Sequence, residues 1–369
     1  MKKERRSDME TKTFRGMQCR RMGQSGLWVS AIGLGTWKWG DPSYDGSRVG
    51  DHEGYKILDR ALELGIFHWD TACSYNLASG NSERLLGRYF ASRPSSVRDI
   101  VVLATKISNS AREEHEKERE FSPNERGASR KYIMRETERC LRRLRTDRID
   151  ILYVHQPSLM DDGSWEAPLD ETWAALDDLI GRGLVNYAAL SNRTAAQIEE
   201  EIKVFDAVGS NSSRRIIAVQ NWYNLAERNK VATEGEDRTR GSERDFLAFV
   251  AKKKLGLVPF FPLASGLLTG RYRRGKLDPA GRIVVDGDYW KDLFLTDRNL
   301  DLVEHLDSIA KRKGCSMAQL AIAWLLSHDV VSSVIAGVTK MEQLEDNAKA
   351  PSVELTGEDL KELDEISAG

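Results

Sequence analysis

An α/β fold, closed as a (β/α)8 TIM barrel, is what this sequence predicts, and three observations predict it. Eight short apolar runs recur along the chain, and each but the last is followed by a stretch with helical spacing. Strands that alternate with helices pair in parallel. Eight such repeats within 369 residues suit a closed barrel better than an open doubly wound sheet. Nearly every run also ends on a polar, ionisable or aromatic side chain, and a barrel gathers its chemistry at that rim.

The first run is 29–34. Residues 53–64 place Tyr55, Ile57, Leu58, Ala61 and Leu62 at helical spacing and stop at Gly65, which suits a left-handed helix end. Run 66–69 follows, then a helix from Ser82, then run 100–104. A helix over 131–144 leads into run 149–154, and one over 169–182, ended by Gly183, leads into run 185–190. Helices over 195–208 and 242–254 precede runs 216–219 and 257–261. Two helical stretches, 300–313 and 317–327, come before the last run, 331–335. Ahead of the first run, 18–22 and 27–30 flank Gly23-Gln24-Ser25-Gly26 as an N-terminal β-hairpin that plugs the barrel's bottom.

Residues 1–16 are charged and carry no apolar stretch, so they read as a disordered tail and not as a signal peptide; 17–369 read as a single barrel domain. Two segments break the rhythm. Residues 108–130 are dense in Glu, Arg and Ser, and 275–295 contain Pro279, Gly281 and Gly287. Both read as long loops at the C-terminal face. A linker between domains is the competing explanation, and the strand–helix alternation that resumes after each segment argues against it.

Composition narrows the class. With 55 Lys+Arg against 57 Asp+Glu the net charge is -2, which lacks the basic excess of a nucleic-acid binder. No stretch reaches the roughly 20 apolar residues of a membrane span. The 4 cysteines, Cys19, Cys73, Cys140 and Cys315, are far apart with no CxxC pair. They suggest reduced thiols in a cytoplasmic protein, with neither a disulfide framework nor a zinc site.

The rim residues define the chemistry. Run 66–69 delivers Asp70, with Tyr75 shortly after. Run 100–104 delivers Lys106, and run 149–154 delivers His155. A phenol is a poor acid near neutrality, and a neighbouring ammonium favours its ionisation. An aspartate beside the lysine holds it charged, and a histidine orients a carbonyl oxygen by donating to it. Tyr75, Lys106, Asp70 and His155 together suit proton donation to a developing alkoxide, hence carbonyl reduction given a hydride donor. Ser191, Asn192 and Gln220 could meet a nicotinamide carboxamide and Phe260 its ring. The helix entered after 335–340 could meet a phosphate. Trp37 and Trp222 follow run ends and suit a substrate pocket. Taken singly, each residue has an ordinary structural explanation: Asp70 as a helix cap, Lys106 as a solvated lysine, His155, Tyr75 and Phe260 as core. One shared rim accounts for all of them at once.

These residues sit in stretches that resemble the aldo-keto reductases, from about Met17 to the C-terminus. They include 22–30 (MGQSGLWVS), 33–37 (GLGTW), 67–75 (FHWDTACSY), 104–106 (ATK), 149–155 (IDILYVH), 190–192 (LSN), 219–225 (VQNWYNL), 262–270 (PLASGLLTG) and 343–347 (QLEDN). The bacterial and potassium-channel-β-like branch is the most similar. The resemblance implies NADPH-dependent reduction of aldehydes, ketones or sugars, with Tyr75 as general acid, Lys106 and Asp70 as its tuning pair and His155 as the carbonyl-orienting donor. It implies cofactor contacts at Gly35, Thr36, Trp37, Ser191, Asn192, Gln220 and Phe260. Pro262, Leu263, Ala264, Ser265, Gly266 and Leu268 would follow at the pyrophosphate, and Gly337, Thr339, Gln343, Asp346 and Asn347 at the adenosine end. No metal is implied.

Three positions depart from the family pattern. Phe260 stands where Tyr or Trp is common, and Ala189 where Gly is usual. Gln343 stands where NADPH-selective members carry an Arg that grips a 2′-phosphate, which leaves NAD possible as the cofactor. The expected partner is a small carbonyl substrate, with no nucleic acid or membrane, in a monomer or homo-oligomer. A cofactor-sensing regulatory subunit on the same barrel is the alternative function. A Rossmann enzyme fits poorly, because Lys38 occupies the third glycine's place in the GxG that starts at Gly33.

Overall fold

A computed structural model describes residues 10–109, 111, 120–209, 215–232 and 242–368. Three N-terminal strands, β1 (Thr11–Phe14), β2 (Met17–Arg21) and β3 (Trp28–Ser30), form a small antiparallel sheet. Eight further strands form a parallel sheet: β4 (Ile32–Gly35), β5 (His68–Asp70), β6 (Val102–Ile107), β7 (Ile149–Val154), β8 (Val185–Ser191), β9 (Ile216–Gln220), β10 (Gly256–Leu257) and, after the short pair β11 (Tyr272–Arg273) and β12 (Lys276–Leu277), β13 (Val334–Gly337). Their order is β10-β9-β8-β7-β6-β5-β4-β13. Backbone bonds from Leu257 N to Val330 O (2.7 Å) and Ile335 N to Pro259 O (2.9 Å) join the two ends, so the sheet closes as the expected (β/α)8 barrel.

The strands are buried on both faces, as a parallel sheet covered by helices requires. The covering helices carry their own start signals. Ser129, Thr194, Ser242, Thr296 and Ser316 each accept a bond from a backbone N–H in the first turn of the helix that follows. Among the described residues no helix is long and apolar enough to cross a membrane. All four cysteines are free thiols.

The hairpin plugs the barrel's bottom. Arg20, buried, donates to the carbonyls of Val331 (2.9 Å) and Leu326 (2.8 Å). Gly23 has φ 55°, and a Cβ there would lie 2.6 Å from Lys254 O and 2.7 Å from Ile217 O, so only glycine lets the turn enter.

Several boundaries differ from the sequence reading. The tail expected over 1–16 is ordered in part: Thr11–Phe14 pairs with Met17–Arg21, and backbone pairing needs no apolar sequence. The rest of that expectation, residues 1–9, lies outside the described residues. Run 29–34 is two strands, because the chain passes from the hairpin sheet into the barrel at Ala31. Segment 275–295 is not an irregular loop. It holds helices Arg282–Val285 and Asp288–Phe294, whose Trp290 and Phe294 rings stack 5.9 Å apart. Of 108–130, residues 110 and 112–119 lie outside the description, and Pro123–Glu125 is a 3-10 turn.

Behind the barrel wall, helices Asn81–Ala91 and Arg130–Leu144 meet at Gly87, where a Cβ would lie 2.0 Å from Arg143 O. Overpacking against backbone cannot relax by a rotamer change. Gly87→Ala is expected to lower stability by about 2 kcal/mol, read as a shift in urea midpoint at unchanged slope.

Candidate active site

The rim is built by strand length. Asp70 is the last residue of β5, Lys106 the penultimate residue of β6, and His155 follows β7 directly. Ser191 and Gln220 end β8 and β9 and lie opposite one another in register. Tyr75 comes from the segment after β5. That segment runs beside β6, with Cys73 N donating to Lys106 O (3.2 Å), and then reverses. The reversal uses left-handed backbone at Asn76, Leu77 and Ala78, with φ of 50°, 57° and 57°. Such non-glycine conformations persist only when the surroundings hold them. Here Asn76 donates to Trp39 O (2.8 Å) and Ser79 to Asp45 (3.0 Å).

The four expected catalytic positions converge. Lys106 Nζ donates to Asp70 Oδ2 (2.6 Å), Thr71 O (2.9 Å) and Tyr75 Oη (2.8 Å), which uses all three ammonium protons. Tyr75 Oη in turn donates to Asp70 Oδ2 (3.2 Å), and Gln220 Nε2 donates to Asp70 Oδ1 (2.8 Å). Lys106 and Asp70 are each 1% exposed. Burial lowers the lysine's pKa, and Asp70 opposes that shift.

The tyrosine departs from expectation. The ammonium alone would acidify it, but burial and then the Asp70 carboxylate raise its pKa well above the ordinary range. The phenol is therefore held protonated.

Two histidines, His68 buried and His155 half-buried at the rim, are held neutral. His155 is pushed down to about 3 by burial, then by the charges of Lys106 and Arg193. His68, inside the barrel, is pushed down to about 4 by burial. Its Nδ1 meets Ser333 Oγ at 2.9 Å, and its Nε2 has no hydrogen-bond partner among the described residues.

Asp70, Tyr75 and His155 open on a cleft of about 910 Å³. It is lined by Gly35, Trp37, Asp70, Tyr75, His155, Ser191, Asn192, Gln220, Trp222, Phe260, Pro262, Leu263, Ser265, Gly266, Gly337, Thr339, Gln343, Asp346 and Asn347. Thr36, Ala264 and Leu268 are buried and do not line it. Thr36 instead braces the wall, its Oγ1 donating to Asp70 O (3.0 Å). Asn192 donates to His155 O (2.9 Å), so it ties two rim segments together.

Sequence reasoning missed the basic edge of the cleft. Arg282 lies over the Trp37 ring, 4.0 Å from its centroid, and Asp286 pairs with Arg282 (3.0 Å), Lys38 (3.5 Å) and Arg48 (3.5 Å). Arginines in a segment without periodicity carry no pattern to read. The unrecognised signal was the aromatic set Trp290 and Phe294, which marks that segment as packed.

The cleft's donor set fits a phosphate-bearing dinucleotide. Ser265 Oγ and Arg282 Nη2 are buried without hydrogen-bond partners among the described residues, and both residues line the cleft. Gly266 and Gly337 line the cleft without a side chain. Gln343 Oε1 accepts from Thr339 N (2.8 Å), so this glutamine organises its own turn.

Comparison with known proteins agrees in kind. The model of the Aldo/keto reductase family matches residues 31–368. A probable voltage-gated potassium channel subunit beta of Arabidopsis thaliana is 34% identical over 340 residues, 91% of this chain and 92% of its own. The L-glyceraldehyde 3-phosphate reductase of Escherichia coli K12 is 30% identical over 338 residues, 90% of this chain and 87% of its own.

The two histidines link stability to pH. Their folded values of about 4 and about 3 lie below the ordinary 6.5, so on acidification the unfolded chain binds protons first. Their contribution is complete above pH 6.5 and is lost as pH falls toward 4, at a limit of about 1.4 kcal/mol per pH unit for each. The urea midpoint is expected to fall between pH 6.5 and 5, and His68→Asn to flatten that slope.

Proposed function

Because the chain belongs to the aldo/keto reductase family, we propose that it is an NADPH-dependent oxidoreductase that reduces aldehydes, ketones or sugar carbonyls to alcohols, with Tyr75 as general acid. The observation that carries this reading is the 2.8 Å contact of Lys106 Nζ with a protonated Tyr75 Oη at the floor of the cleft. Ser191, Asn192, Phe260, Ser265, Gly266 and Thr339 would hold NADPH, or NADH in its place, and the dinucleotide would supply the hydride.

The protein's part is to hold the oxygen and supply the proton. His155, neutral, donates to the carbonyl oxygen and fixes its direction. Tyr75 transfers its phenolic proton as negative charge grows on that oxygen. The resulting phenolate is met by the Lys106 ammonium, so stabilisation arrives where charge appears. Asp70 keeps the ammonium charged in a buried place, and Gln220 and Thr71 hold both groups in line. The high pKa of Tyr75 favours reduction over alcohol oxidation near neutrality, since oxidation must begin from the phenolate.

The substrate is a small carbonyl compound. The Escherichia coli relative makes L-glyceraldehyde 3-phosphate a reasonable first test compound. The relatives named as potassium channel subunits favour a second reading, a regulatory subunit that senses the dinucleotide. Tight NADPH binding with no turnover across aldehydes, ketones and sugars would support that second reading.

Tyr75→Phe is expected to cut carbonyl reduction at least a hundredfold, followed by nicotinamide absorbance. NADPH affinity, followed by fluorescence titration, should stay within about twofold, because the ring and its packing remain. Turnover within about tenfold of the parent would remove Tyr75 from its role. Reduction by the parent enzyme should also show no loss to phenol ionisation at about pH 10, because burial and Asp70 hold Tyr75 above the ordinary phenol range.

A further inference from the structure

The exit of β6 continues past the expected lysine into a turn with unusual backbone. Ser108 has φ 106°, a region other residues leave to glycine. Its conformation is held from two sides: Ser108 Oγ accepts from Gln156 N (3.0 Å), and Ser108 O accepts from Gly127 N (2.8 Å). The turn delivers Asn109, whose carbonyl accepts from Tyr132 Oη (2.6 Å) and Cys73 Sγ (3.3 Å). The Asn109 backbone is thus tied both to the segment that carries Tyr75 and to the helix Arg130–Leu144. Its side-chain amide then reaches His155 Nδ1, at 3.4 Å.

The His155 backbone is equally fixed. Its N–H donates to Ile107 O (2.7 Å), and its carbonyl accepts from Asn192 Nδ2 (2.9 Å). What remains free is the placement of one proton on the ring. A neutral imidazole carries it on one nitrogen and offers a lone pair on the other. A carbonyl oxygen in the cleft needs Nε2–H. An amide N–H facing Nδ1 selects that tautomer, whereas an amide oxygen facing Nδ1 selects the reverse, because an unprotonated Nδ1 would set two lone pairs against each other.

We propose that Asn109 is a positioning residue: its amide donates to His155 Nδ1, fixes the Nε2–H tautomer and so presents a hydrogen-bond donor to the substrate carbonyl. The catalytic meaning of this rests on the carbonyl-reduction reading, but the tautomer itself does not. Charged and titratable groups around the ring are Tyr75, Lys106 and Arg193. Both cations oppose a second proton on the imidazole, so the tautomer, and not the charge, is what Asn109 controls.

The direct test is the nitrogen spectrum of the isotopically labelled protein without substrate, with His155 assigned through His155→Gln. The expected result is an unprotonated Nδ1 and a protonated Nε2 in the parent. Asn109→Asp offers only acceptors and should draw the proton to Nδ1. The same variant should lose about 10- to 100-fold in kcat/KM near neutrality. It should regain activity as pH falls, because the imidazolium restores Nε2–H and the new carboxylate stabilises it. A parent enzyme with Nδ1 protonated overturns the proposal, as does a variant with the parent's tautomer and pH profile. A parent that reduces no carbonyl compound but shows the expected tautomer would sink the reductase reading and leave the role of Asn109 at the ring standing.

Discussion

An ammonium and a carboxylate sealed from water organise this molecule. Removing such ions from water is expensive, and one left alone after its partner is deleted typically costs about 3–5 kcal/mol. The Lys106–Asp70 pair avoids that penalty only because its remaining valences are met, at Thr71 O and Tyr75 Oη for the lysine and at Gln220 for the aspartate. The pair and those partners together come from three strand ends and the segment between two of them. The register that lays Gly35, Asp70 and Ala104 side by side, and Ser191 beside Gln220, is therefore what makes the charge pair tolerable.

A second tier of buried charge stands behind the rim. Arg143 bonds Glu83 (2.6 Å) and Glu136 (2.5 Å), and Glu83 accepts from Thr105, the neighbour of Lys106 in β6. Arg193 bonds Glu201 (2.5 Å) and Ser191 O (2.8 Å) at the exit of β8. In each case a guanidinium, with five donors in a rigid fork, ties a helix to a strand end that faces the cleft. The reactive groups gain fixed directions from elements that never touch a ligand.

Much of this was legible in the residues because a parallel barrel strand is buried on both faces and stops abruptly. The apolar runs at 149–154 and 185–190 marked β7 and β8 closely, and Asp70, Lys106, His155 and Gln220 announced themselves by standing where such runs end. Legibility failed wherever one irregular segment meets another. Nothing local signals that Arg282 stacks on Trp37, that Asn109 turns toward His155, or that Thr11–Phe14 becomes a strand by borrowing the edge of Met17–Arg21. Gln220 was read as a ligand contact from its place at a strand end, yet its amide nitrogen is spent on Asp70, a distinction only geometry can draw.

Arg20 joins residues more than 300 positions apart, gripping the carbonyls of Leu326 and Val331 just ahead of the final strand. Arg20 cannot make that clasp until the segment carrying Leu326 and Val331 has been synthesised, so ring closure waits on the arrival of the last barrel strand. Until then the first strands wait with open edges, and such edges recruit foreign strands. The N-terminal hairpin leaves that edge uncovered, because its strands form a separate sheet and the open side of β4 is taken only by β13.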